Sequence, residues 1–553
     1  MLRQCGRLAL AVAVVGLLAG CGASASADRM SAPGVAPGGA QDAGYFRAQL
    51  YSGAVPKSSD ITVEGFLGEH DIQYPEATCD QVLCMHALVG NDEAVAEGGS
   101  ATFIALAMAT AVDLSARPRL PVNMAVVVDV SGSMAEAGKL DYVKQGLLTM
   151  VAELGPEDRL ALVTYSTTAR VVEASRLVDD RAVFEEAINA LQPNGSTNLY
   201  DGMVLGYEQV LANASAYSLP RVMLLSDGLA NTGISDSAQI VSKSASYNDQ
   251  GIGITTVGVG LDFNQTLMRT LAEQGGGNFY FIENPAKVTA VFKDELDFLV
   301  TPLANDLQVT LALAPGIDMV ETYGIAFTHN DLGELVLRVP TVFASSQGGA
   351  MLVRIDSTDG LAAHAGEVVT SVHYSYRPIA DDGTAQESTG AVTDARMVSL
   401  TEPSSRAYES KGVLKAIVLW NMVTSFQAAS DIYHETYDRG AALEVIQALA
   451  TYVDDANVVL ADEEIAKDRV ELVNQLAINL GGYIGDSTWG GRCIEGSAPD
   501  GSCRDGLDPH YRAQPMYCAA AVGDKVPLML VGLVLFGLLR VRQMSYKKGE
   551  GGY

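Results

Sequence analysis

The sequence predicts a doubly wound, parallel-sheet α/β domain inserted between elements of a β-sandwich and followed by a small helical domain. Three observations predict it. Between residues 121 and 301, strand-length apolar runs alternate with helically spaced segments, the signature of parallel strands joined by crossover helices. On either side, in a flank at 46–118 and again at 302–402, β-branched and alternating runs replace that pattern. From 404 to 485 the helical period returns without strands between.

Within the α/β stretch, Met124 to Val130 is an unbroken apolar run interrupted only by Asp129, as expected of a strand buried on both faces. Leu140, Val143, Leu147, Met150, Val151 and Leu154 follow at helical spacing and stop at Gly155-Pro156. Leu160–Tyr165 and Ala169–Ser175 read as strands around a Ser-Thr-Thr turn. Further helices are expected at Arg181–Leu191, Tyr200–Leu211, Ser237–Gln250, Thr266–Gln274 and Lys287–Leu299. Strands are expected at Arg221–Leu225, Ile252–Val259 and Phe279–Ile282. Outside this stretch, Thr102–Leu114, Leu307–Leu313, Leu335–Val339, Met351–Ile355 and Val368–Tyr376 read as sandwich strands, at least one supplied from before the α/β domain.

Composition narrows the function. The chain has 553 residues, 36 Lys+Arg against 66 Asp+Glu and a formal charge of −30. A charge of that sign excludes a nucleic-acid-binding role, which needs concentrated basic residues. With 48% hydrophobic and 18% charged residues, the chain has ample material for folded cores.

The two ends read as targeting segments. Arg3 and Arg7 precede the apolar run Leu8–Ala19, too short to span a bilayer. Leu18-Ala19-Gly20-Cys21 resembles the lipobox of bacterial lipoproteins, which implies a signal peptide at 1–21 and lipidation of Cys21. Residues 22–45, rich in Ala, Ser, Gly and Pro, read as a flexible tether. At 519–553 the run Val526–Leu539 precedes Arg540, Arg542, Lys547 and Lys548. That arrangement fits either a membrane helix with a cytoplasmic basic end or a carboxy-terminal sorting signal removed on maturation near Cys518. In an exported chain the local pairs Cys79/Cys84 and Cys493/Cys503, the latter within a loop region at 486–518, read as disulfides; their spacing suits zinc poorly.

The chemistry concentrates at the carboxyl end of the first α/β strand, in Asp129-Val130-Ser131-Gly132-Ser133. In an open α/β sheet that edge is where ligands bind. A carboxylate and two hydroxyls on one loop suit a hard divalent cation, Mg²⁺ first, with Mn²⁺ or Ca²⁺ as alternatives. One loop cannot fill such a shell. Thr197, after the second long helix, and Asp227, ending the next buried strand, stand where further ligands are needed.

Those five residues, in that order, resemble the metal-ion-dependent adhesion site of von Willebrand factor A domains, and the resemblance covers roughly residues 121–301. It implies that Ser131, Ser133 and Thr197 coordinate through their hydroxyls and that Asp129 and Asp227 act directly or through water. It also implies a protein ligand whose Asp or Glu carboxylate completes the shell. Rival chemistries find little support. His434-Glu435 lacks the second histidine of a zinc-protease motif, Gly275-Gly276-Gly277 precedes a strand rather than a helix, and no nucleophile elbow is present. The acidic residues Asp454, Asp455, Asp462, Glu463 and Glu464 are expected to form a solvated surface. The expected function is metal-dependent protein binding without catalysis, in a lipid-anchored protein of the bacterial envelope, at the outer membrane or cell surface. The alternative is an assembly subunit that uses the same site within its own complex.

Overall fold

The computed structural model describes residues 34–36 and 43–482, apart from 78, 113–119, 215–218, 283–290, 293–301, 325–326, 346–349, 359, 381–383 and 401–404. Cys21, Cys493, Cys503, Cys518, the Val526–Leu539 run and most of the expected Lys287–Leu299 helix lie outside the described residues. Among the described residues no helix is long and apolar enough to cross a membrane.

The α/β unit is built on a six-stranded sheet ordered Ala169–Leu177, Arg159–Tyr165, Val122–Asp129, Leu219–Ser226, Gly253–Val259, Phe279–Ile282. Neighbours are parallel except at one edge, where Ala169–Leu177 runs antiparallel to Arg159–Tyr165. This edge pair is antiparallel for a simple reason. The Ser166–Thr168 turn is far too short for the crossover that a parallel pair requires.

Both faces of the sheet are covered, and side-chain alternation decides which residue faces where. Met124, Val126 and Val128 pack with Leu140, Val143 and Leu147 of helix Lys139–Glu153 and with Phe184 and Ile188 of helix Arg181–Asn189. Ala125 and Val127 turn the other way, toward helices Leu199–Leu211, Ser237–Asn248 and Gln265–Gln274. A Cβ at Gly206 would collide with Val127, so that glycine lets helix Leu199–Leu211 lie close on the sheet. Strand Val122–Asp129 comes first in chain order among the strands of this sheet yet sits in its middle. Its carboxyl end, beside that of Leu219–Ser226, is therefore the switch point where the connections change direction.

The sandwich draws strands from both sides of this insertion. Cys84–Glu93 and Ser100–Ala109, which precede it, form an antiparallel pair, and Ser100–Ala109 pairs in turn with Ala350–Ser357, which follows it. Leu335–Ser345, Pro302–Leu313, Val368–Pro378 and Thr389–Arg396 form the facing layer. Gly34–Ala36 pairs with strands of both layers. Cys79 and Cys84 are disulfide-bonded at the head of the first of these strands.

Helix Lys411–Asp431 is buried almost all round, as expected of a central helix rather than a surface one. Its Trp420 packs against Phe103 of the sandwich, while Phe426 stacks on Phe46 at 5.2 Å. Helix Arg439–Leu460 and the segment Glu463–Asn479 complete the layer. Two features differ from the sequence reading. The flank read as strand-forming also contributes helices Ala43–Tyr51 and Val63–Gly68. The acidic stretch is not simply solvated: Asp462 binds Lys415 at 2.7 Å, and Asp454 binds Arg469 at 3.1 Å.

Candidate metal site

Three chain segments converge at the carboxyl edge of the α/β sheet. Asp129 is the last residue of its strand and is completely buried, so it belongs to the core rather than to an exposed loop. One of its carboxylate oxygens accepts the Ser131 N–H at 2.8 Å; the other accepts the Ser226 hydroxyl at 3.2 Å. Ser131 precedes a short helical turn, but its side chain does not cap that turn. Its hydroxyl lies 3.1 Å from that of Ser133, which donates to Asp227 Oδ1 at 2.8 Å.

Thr197 reaches the same place from the loop before helix Leu199–Leu211. Its backbone is held by Asn231, whose side-chain oxygen accepts the Thr197 N–H at 2.9 Å, and the Asn231 N–H returns to the Thr197 carbonyl at 3.1 Å. A Cβ built on Gly228 would lie 3.7 Å from both Ser133 Oγ and Thr197 Oγ1, so the hydroxyls of two separate loops flank this glycine. The loops are also pinned to one another, since Gly132 N–H donates to the Gly195 carbonyl at 3.0 Å. All five residues singled out in the sequence thus meet at one edge.

Electrostatics bear on whether the group fits a cation. Burial pushes the Asp129 carboxyl up to about 6; hydrogen bonds from Ser131 and Ser226 oppose the rise, and the Asp227 charge adds to it. Two buried carboxylates in mutual repulsion, surrounded by hydroxyl oxygens and no sulfur or imidazole, suit a hard divalent cation that would relieve the repulsion. Among the described residues no cluster of three or more His, Cys, Asp or Glu that could hold a metal is present, so an ion at this edge would depend on the hydroxyl oxygens as well.

Sequence reasoning missed Lys139, Ser226 and Asn231. Lys139 Nζ donates to Asp227 Oδ2 at 2.9 Å from the first turn of the following helix. Ser226 had one available signal, its place directly before Asp227 at a strand end. The Lys139–Asp227 pair spans 88 positions, and nothing local announces it.

An open α/β sheet with an oxygen-lined edge at its switch point defines a class of ligand-binding domain, and comparison with known proteins makes the class specific. Residues 123–294 match the family described as von Willebrand factor type A domain, and the α/β unit has that fold. The chain therefore carries a von Willebrand factor type A domain, matched over less than half of its length. Among relatives, Uncharacterized protein YfbK of Escherichia coli (strain K12) is 30% identical over 210 residues, 37% of this chain and 36% of that protein. Inter-alpha-trypsin inhibitor heavy chain H3 of Mesocricetus auratus is 24% identical over 200 residues, 35% of this chain and 22% of that protein. The chain thus spans well under half the length of these relatives. A solved structure, von Willebrand factor type A from Catenulispora acidiphila, aligns with a TM-score of 0.48 at 15% identity, covering 70% of this chain and 88% of that one.

Proposed function

We propose that the protein binds a partner protein through a divalent cation held at the carboxyl edge of its α/β domain, and that it does so without catalysis. The observation that carries this reading is the convergence of Asp129, Ser131, Ser133, Thr197 and Asp227, with two buried carboxylates among them. Ser131, Ser133 and Thr197 would hold the ion by hydroxyl, and Asp129 and Asp227 would supply the charge. The oxygen-only donor set favours Mg²⁺, with Mn²⁺ or Ca²⁺ as substitutes. Bound there, the ion supplies an electrophilic position for a carboxylate from an Asp or Glu of the partner.

A binding role is supported over an enzymatic one by where the serine hydroxyls point. They bond to each other and to Asp227 rather than to a histidine, so no activated nucleophile is assembled. The Leu18–Cys21 lipobox supports attachment to the bacterial envelope through lipidated Cys21, at the outer membrane or cell surface. The test is a pull-down from envelope extracts with the full chain. Partner capture should require Mg²⁺, fail in EDTA and fail for Asp129→Asn; capture that ignores all three conditions contradicts the reading. Separately, Cys21→Ser should move the chain out of the membrane fraction.

A further inference from the structure

A basic side chain at this edge, Lys139, has a place built for it. Lys139 is only 8% exposed, its ammonium donates to Asp227 Oδ2 at 2.9 Å, and it lies 3.9 Å from the carboxylate of Asp262. Its stem runs beneath Gly260, whose φ is +75°; a Cβ there would stand 2.8 Å from Lys139 Cε. Glycine at that position both adopts the left-handed backbone and leaves room for the lysine. Asp262 is largely in solvent, its side chain 79% exposed, so it is screened and counts for little in the buried charge balance.

We propose that Lys139 is a resident counter-cation that restrains the site's affinity for free metal and makes tight metal retention depend on an anionic group from the partner. This rests on the reading that the five edge residues hold a divalent cation. Asp129 and Asp227 contribute two negative charges and Lys139 one positive charge, a net of −1 before metal arrives and +1 after a divalent cation binds. Without the lysine the loaded site would be neutral. The ammonium therefore repels the incoming ion through a poorly screened interior, and a carboxylate entering from a partner removes the residual positive charge. Metal and carboxylate are then coupled: each strengthens the other's binding by the same factor.

The sign of the effect separates this role from a structural one. A lysine that merely held Asp227 in position would, once removed, weaken metal binding. A counter-cation, once removed, strengthens it. The experiment is a Mn²⁺ titration of the full chain in metal-depleted buffer, with free Mn²⁺ read by electron paramagnetic resonance, for wild type, Lys139→Met and Lys139→Arg. We expect Lys139→Met to bind Mn²⁺ about 10-fold tighter than wild type and Lys139→Arg to stay near wild type. Acetate, as the carboxylate probe, should tighten Mn²⁺ binding to wild type and have less effect on Lys139→Met. Equal or weaker binding by a folded Lys139→Met overturns the proposal while leaving the metal site itself standing. If wild type and both variants bind no Mn²⁺, the metal reading falls and the proposal falls with it. Should Lys139→Met fail to fold, the acetate arm on wild type decides: no tightening with acetate overturns the coupling.

Discussion

The helical layer and the α/β edge both bury carboxylates, and they treat them differently. In the helical layer and its seam with the sandwich, each buried acid has a cation of its own. Asp468 sits between Arg47 at 3.3 Å and His70 at 2.6 Å, and Asp92 takes Arg406 at 2.8 Å together with the Tyr452 hydroxyl at 2.9 Å. At the α/β edge, Lys139 pairs with Asp227, and among the described residues no basic side chain pairs with Asp129. Charge burial is costly unless matched, so the unmatched Asp129 charge is what the proposed cation would neutralise. Asp158 marks the limit of that argument. It is fully buried without such a deficit, because the N–H groups of Val122 and Gly155 bind it at 2.8 and 2.7 Å.

The sharpest way to break the comparison is to remove one acid from each region. Asp468→Ala strands His70 in a closed interior and leaves Arg47 to Glu471 alone, and is expected to cost about 3–5 kcal/mol, read by urea denaturation. Asp227→Asn strands Lys139 and should cost a similar amount, about 3–5 kcal/mol in chelator; adding Lys139→Met should recover most of it. Asp129→Asn should behave in the opposite way. It removes an unmatched buried charge, so stability in chelator should hold or rise, and a drop of more than about 1 kcal/mol would put Asp129 in the same class as Asp468.

A next, smaller effect concerns cation addition. Mg²⁺ at about 100 times its dissociation constant should stabilise wild type by about 2.7 kcal/mol, and Asp129→Asn should lose this gain. Thermal melts with and without Mg²⁺ measure it. If Asp468→Ala lost the Mg²⁺ gain as well, the two regions would not be independent.

The smallest effect is a pH dependence confined to the helical layer. Burial lowers the His70 pKa, but the hydrogen bond and charge of Asp468 outweigh burial and hold it above its ordinary value of 6.5. A raised histidine pKa contributes stability that is fully present below the unfolded value of about 6.5. That contribution is lost as pH rises through the folded value. The stability advantage of wild type over His70→Gln should therefore shrink from about pH 6.5 upward, as followed by denaturant midpoints. An advantage that grows with pH would contradict the assignment.

How much of this was legible in the sequence follows from how local each signal is. The Asp129–Ser133 loop could be read directly, because three site residues share one strand end, and Asp227 announced itself by closing the next apolar run. The Cys79–Cys84 disulfide was readable for the same reason. The antiparallel edge pair was legible too, since the Ser166–Thr168 turn between its strands leaves no room for a parallel crossover. Helices Ala43–Tyr51 and Val63–Gly68 were missed because they are short and owe their stability to distant partners such as Phe426 and Asp468. Lys139 carries no local signal, and only the fold brings its ammonium to Asp227.

The central claim is that the unmatched charge at the α/β edge is an oxygen-lined cation site. Isothermal titration of Mg²⁺ into metal-depleted full-length protein tests it most directly, run beside Asp129→Asn and Asp468→Asn. The account predicts one binding event per chain that Asp129→Asn abolishes and Asp468→Asn leaves unchanged. No saturable binding to wild type, or binding that survives Asp129→Asn, would contradict it.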